Sequence, residues 1–95
     1  MAPIAYAGEM RAAQTRLENI VRGMPRASIV RSEPGYITAE FRSLIFRFVD
    51  EAAFAFDEAT HLIHFRSGAR TGYSDFGVNR DRMEKIIAAF GEGNR

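Results

Sequence analysis

The sequence predicts an α+β fold, one antiparallel sheet with two helices packed on one of its faces. Three observations predict it. Apolar residues recur at helical spacing in two segments, one towards each end of the chain. Between them, residues 26–67 run mostly at period two and are broken by short turn signals. The 95 residues, 46% of them hydrophobic with eight Phe and three Tyr, suffice for a single core, as expected for a chain of about 100 residues. The domain is expected to span 1–95, with its core at about 3–91 and a frayed tail at 92–95.

Each element follows from its residues. Residues 3–7 (PIAYA) form a short first strand. From Glu9 the apolar positions are Met10, Ala13, Leu17, Ile20, Val21 and Met24, spacings that put one face of a helix into the core. Arg11, Gln14, Glu18 and Arg22 are expected on its outer face. Gly23 and Pro25 are its stop signals. Residues 26–32 form the next strand and end at Pro34-Gly35, which suits the centre of a type II turn. In residues 36–41, Ile37, Ala39 and Phe41 alternate with Tyr36, Thr38 and Glu40, so this strand is half buried.

The stretch LIFRFVDEAAFAFDE carries Leu44, Phe46, Phe48, Ala52, Phe54 and Phe56 at even positions, and Asp50 shares their parity. Either a bulge near residues 50–51 rotates Asp50 out, or a carboxylate points into the core. Residues 57–60 (DEAT) turn the chain into a last strand ending near Ser67. The final helix is expected from about Asn79, its N-cap, to Phe90, with Met83, Ile86, Ile87 and Phe90 as its apolar stripe. Asp81 and Lys85 form an i,i+4 pair, and Gly91 ends the helix. The order β-α-β-β-β-β-α is that of TATA-binding-protein-like and helix-grip folds, an analogy of fold that carries no function.

Composition excludes several classes of function. Thirteen basic against twelve acidic residues give a net charge of +1, which makes no electrostatic case for nucleic acid or an anionic membrane. Thr38, Glu40, Arg47 and Glu51, the outward residues of the sheet, are mixed in sign, so nucleic acid is not expected as a partner. Absence of cysteine removes disulfides and thiolate metal sites. His61 and His64 stand three apart on a strand and cannot chelate one ion together, so neither metal nor cofactor is expected. The apolar runs are too short to span a bilayer, and the first ten residues have no signal-peptide pattern. A cytoplasmic location with no transmembrane segment is therefore expected. Twelve of the thirteen basic residues are arginine, a choice that suits anion recognition but that codon bias in a GC-rich genome explains more readily.

The segment RSGARTGYSDFGVNRDR, residues 66–82, is the strongest functional candidate. Arg80 and Arg82 fall in the first turn of the last helix, where cations are disfavoured by about 0.3–1 kcal/mol each. Arg66 and Arg70 approach from the strand side, so four guanidinium groups are expected near free backbone N–H groups, the make-up of an anion site. Ser67, Ser74, Asp75 and Asn79 complete the set. The structural alternative is a salt-bridge network in which Asp50, Asp75 and Asp81 pair the arginines and Ser67, Ser74 and Asn79 fix the turns. Asp50 is a separate candidate, as a general base or as an arginine's partner, with Arg66 or Arg80 as the expected arginine. Ser67, His64 and Asp75 can be written as a triad, but no oxyanion motif accompanies them.

The stretches FRSLIFRFVDEAAF and HFRSGARTGYSDFGVNRDR together resemble the family known as domain of unknown function 1499. Phe41, Arg42, Ser43, Phe46, Phe48, Val49, Asp50 and Phe54 match the first part of its signature. Arg66, Ser67, Arg70, Gly72, Ser74, Asp75, Gly77, Asn79, Arg80 and Arg82 match the second. Glu51 and Ala53 depart from the pattern, where the family places an Asp and a Glu. The resemblance also implies an envelope association, through a leading membrane or secretion segment and a Cys-containing stretch that this chain lacks. It carries no activity with it. The expected function is a non-enzymatic binding or accessory module whose loop 66–82 contacts an acidic protein partner or small anion, or a subunit that docks in a larger assembly or homo-oligomer. The rival reading is a small hydrolase using Asp50, His64 and Ser67.

Overall fold

The computed structural model describes residues 2–42, 49–69 and 78–93. In chain order the elements are β1 (Ile4–Ala5), α1 (Met10–Arg22), β2 (Ala27–Glu33), β3 (Tyr36–Arg42), β4 (Val49–Asp57), β5 (Leu62–Ala69) and α2 (Val78–Gly93). The strands form one sheet in the order β1-β5-β4-β3-β2, every neighbouring pair antiparallel. This is the α+β architecture the sequence predicts.

The first strand lies beside the last, so α1 leaves one edge of the sheet and must reach the other. Its 13 residues span about 20 Å at 1.5 Å each, and five strands spaced about 4.8 Å apart are about 19 Å across. The helix is thus the right length to cross the sheet once. Ala13, Leu17 and Val21 of α1 and Met83, Ile86 and Phe90 of α2 bury against Ile37, Ala39, Phe41, Ala52, Phe54 and Ile63 of the strands. Both helices cover the same face, and the Arg16 guanidinium lies 4.0 Å from the Phe90 ring centre where they meet.

Turn chemistry places the hairpins. Gly35 has φ +81°, which its lack of a Cβ permits, and Pro34-Gly35 closes β2 on β3 with Glu33 opposite Tyr36. The Asp57 carboxylate accepts from the backbone N–H groups of Ala59 and Thr60 at 3.0 and 3.4 Å, fixing the turn into β5. The next residue, His61, adopts φ 54° and stacks on Tyr6, with ring centres 5.0 Å apart.

Several local expectations need correction. Gln14 is buried rather than outward: its Nε2 donates to the Glu33 carbonyl and its Oε1 accepts from the Gly35 N–H, both at 2.8 Å. Glu18, by contrast, is not in the buried core, and accepts an exposed hydrogen bond from Ser32 of β2. Gly23 at the end of α1 is right-handed, and Arg26 takes the left-handed conformation at φ 56°. A register shift lies between Ile29 and Arg31 in β2, whereas the pairing of β3 with β4 runs without interruption through residues 50 and 51. The last helix begins at Val78, so Asn79 lies within its first turn, and it continues past Gly91 to Gly93. Leu44, Phe46, Phe48 and residues 94–95 lie outside the described residues. No helix among the described residues is long and apolar enough to cross a membrane.

Candidate functional site

With no bulge to rotate it, Asp50 projects from the helix-covered face, opposite Phe41 on β3 and Ala69 on β5. A lone carboxylate there would be costly. It meets Arg82 instead, Nη1 to Oδ2 at 3.3 Å, with the two side chains 14% and 16% exposed. The Arg82 guanidinium also lies 4.3 Å from the Phe41 ring centre, a cation–π contact. The partner of Asp50 is therefore Arg82, not Arg66 or Arg80. Arg82 reaches it because it sits one turn into α2, where the helix passes the end of β4.

Arg80 points elsewhere. Its Nε bonds the Glu84 carboxylate at 3.3 Å across one turn, with both side chains largely exposed. This pair takes the place expected for Asp81 and Lys85, and pairs of its kind contribute only about 0.3–0.5 kcal/mol. The two carboxylates relieve the conflict between Arg80 and Arg82 and the positive end of the helix.

Arg66 does not join them. It stands opposite Ala53, whose β3 neighbour is Thr38, on the face that neither helix covers. The expected convergence of four arginines is thus not what the fold provides: Arg66 and Arg82 lie on opposite faces, and Arg70 lies outside the described residues. Ser74 and Asp75 lie outside them as well. Ser67 is opposite Ala52 on the helix side, and His64 opposite Ala55 on the uncovered side. The residues of the hydrolase reading, Asp50, His64 and Ser67, are consequently divided between two faces.

The uncovered face has an order of its own. Across β3, β4 and β5 its rows read Tyr36–Ala55–His64, Thr38–Ala53–Arg66 and Glu40–Glu51–Gly68. The central strand contributes two alanines, flanked by longer side chains on both sides, so a trough runs along β4. It consists of two adjoining depressions that share Tyr36, Ala53 and Arg66. One, of about 270 Å³, lies over Ala53 and Ala55 beside His64. The other, of about 490 Å³, extends to Glu40 and Glu51. Like carboxylates directly opposite repel, and Glu40 also meets Arg42 at 3.6 Å. Among the described residues no group of three His, Asp or Glu side chains gathers to hold a metal ion.

Residues 1–90 match the family described as protein of unknown function (DUF1499). The chain belongs to this family. The two stretches that carry the likeness, 41–54 and 66–82, are joined in the DUF1499 domain by the Asp50–Arg82 pair under the Phe41 ring. No curated protein and no solved structure gave a match. The analogy with TATA-binding-protein-like and helix-grip folds therefore rests on element order alone.

The trough was not singled out from the sequence. Its signal was nonetheless present in EAAFAF, where Ala53 and Ala55 have the parity opposite to Phe54 and Phe56. Small residues on the solvent side of a central strand leave a hollow wherever the flanking strands carry long ones.

Proposed function

We propose that this DUF1499 domain is a non-enzymatic binding module that contacts an acidic partner or small anion through Arg66 on the uncovered face of the sheet. The observation that carries this reading is the contrast among the described arginines of segment 66–82. Arg82 is held by Asp50, and Arg80 pairs with Glu84. Arg66 is exposed and borders both depressions of the trough. A guanidinium beside small apolar residues is weakly hydrated on one side and offers a planar fork to a carboxylate or phosphate. The Asp50–Arg82 pair is assigned a structural role, fastening α2 to the end of β4.

Thermal melting with phosphate, sulfate, nucleotides and carboxylates tests the reading. A ligand at a hundred times its Kd adds about 2.7 kcal/mol, several degrees in a chain of this size. The shift is expected to vanish in Arg66→Gln and to persist in Arg80→Gln. A shift that survives in Arg66→Gln would move the site elsewhere.

A further inference from the structure

The ligand class follows from the shape and charge of the trough, given the reading of Arg66 as the anion contact. We infer that the depression over Ala53 and Ala55 takes a small free monocarboxylic acid with an apolar body, its carboxylate held by Arg66 and His64. The two residues are i and i+2 on β5, so their side chains rise on one side of the trough, about 7 Å apart along the strand. Tyr36 and Thr38 rise on the other side, two strand spacings or about 9.6 Å away. The floor between them is two methyl groups. A ring or short hydrocarbon chain laid there touches alanine below and the Tyr36 ring at its edge, while the guanidinium fork and an imidazole N–H reach its carboxylate.

Two features narrow the class. The depression, about 270 Å³, lies just below the range of roughly 300–1,000 Å³ usual for ligand pockets, which suits a small body. The adjoining hollow leads to Glu40 and Glu51, so a second negative charge on the ligand would be driven towards two carboxylates. A monoanion whose apolar part turns towards Tyr36 and Ala55 avoids that repulsion; a phosphate dianion or a dicarboxylate does not.

Backbone-amide NMR titrations of the full chain with benzoate, acetate and inorganic phosphate test the inference. Benzoate is expected to move the amide signals of Ala53, Ala55 and Arg66 and to bind about tenfold more tightly than acetate, through the apolar surface it buries. Arg66→Gln is expected to weaken benzoate by about tenfold or more. Ala53→Leu, on a face that no helix covers, fills the floor and is expected to abolish the preference for benzoate over acetate while the protein stays folded. Equal affinity for benzoate and acetate overturns the apolar-body inference and leaves the anion module standing. No response to any of the three overturns both. A tripeptide ending in phenylalanine, bound more tightly than benzoate at the same amides, overturns the free-acid assignment in favour of a peptide terminus.

Discussion

Asp50 and Arg82 illustrate how one residue's cost becomes another's role. The carboxylate stands on the apolar face because the strand alternation leaves it no other side, and the arginine lies in a helical turn that disfavours cations. Together they neutralise both penalties at 3.3 Å. Removing one partner leaves a mostly buried charge, which in fully buried pairs costs about 3–5 kcal/mol. Some water reaches this pair, so Arg82→Ala is expected to lower stability by about 2 kcal/mol in urea denaturation. Asp50→Leu combined with Arg82→Met is expected to recover more than half of that loss, since an apolar pair leaves no charge unmatched. Single variants that both melt like the parent would show the pair to be solvated. Tyr6 gives a pH prediction at the same scale. Burial raises its pKa above the ordinary 10.0, aided by the charges of Glu58 and Asp57, and its hydroxyl bonds the Asp57 carbonyl at 3.3 Å. Because the folded-state pKa lies above the unfolded one, the contribution is full below pH 10 and disappears as pH rises through the folded value. With no tryptophan to interfere, absorbance titration should show a tyrosine ionisation above the ordinary value, together with a fall in stability above pH 10. Tyr6→Phe should remove that raised ionisation.

Among the elements, α1 does more than cover the sheet. Gln14 clamps the β2–β3 turn by two hydrogen bonds at 2.8 Å, and the Met10 thioether lies beside Gly35. Each such bond contributes about 1 kcal/mol net, so Gln14→Leu is expected to cost about 2 kcal/mol. Its larger effect should be local, with faster amide hydrogen exchange at Gly35 and Tyr36 than at Phe54. Uniform exchange across all three would place the loss in the global fold instead of the turn. This residue also shows where a sequence stops being legible. Positions 10, 14, 17 and 21 are spaced four, three and four apart, so helical geometry already puts Gln14 on the buried stripe; its polarity alone argued otherwise. Period two likewise placed Asp50 correctly, yet its choice of Arg82 over Arg66 or Arg80 depends on where α2 crosses the sheet, which no local pattern encodes. The shift at Ile29/Arg31 is invisible for a similar reason, because the exposed Val30 reads as one more strand residue. The arginine-rich segment is a cluster in sequence that is divided in space, since the parity of β5 turns Arg66 away from the helices while Arg80 and Arg82 ride on α2.

Among the described residues the molecule is a sheet with one face that neither helix covers and with two edges, and edges invite pairing with other chains. One edge is β1, two residues long, which pairs only with Leu62 and Ile63, so that among the described residues no strand lies beside the rest of β5 on that side. The other is β2, seven residues long, and it carries the register shift, the Arg31–Glu33 ion pair at 2.9 Å and the exposed Val30. The register shift and the charges of β2 disfavour strand addition on that side. The uncovered face is also too polar, with Arg66, Glu51 and His64 exposed, to resemble the apolar interface of a permanent dimer. Sedimentation at tens of micromolar is therefore expected to show a monomer, a state in which the trough stays open to a ligand. Val30→Lys should leave both the sedimentation coefficient and the stability unchanged, within about 0.5 kcal/mol for an exposed site. A dimer that Val30→Lys dissociates would mean that β2 pairs with a second chain despite its shift, and the accessory-subunit reading would then replace the ligand-binding one. A dimer that Val30→Lys leaves intact, but that weakens in Arg66→Gln, would instead put the second chain on the uncovered face and close the trough that the carboxylate is proposed to occupy.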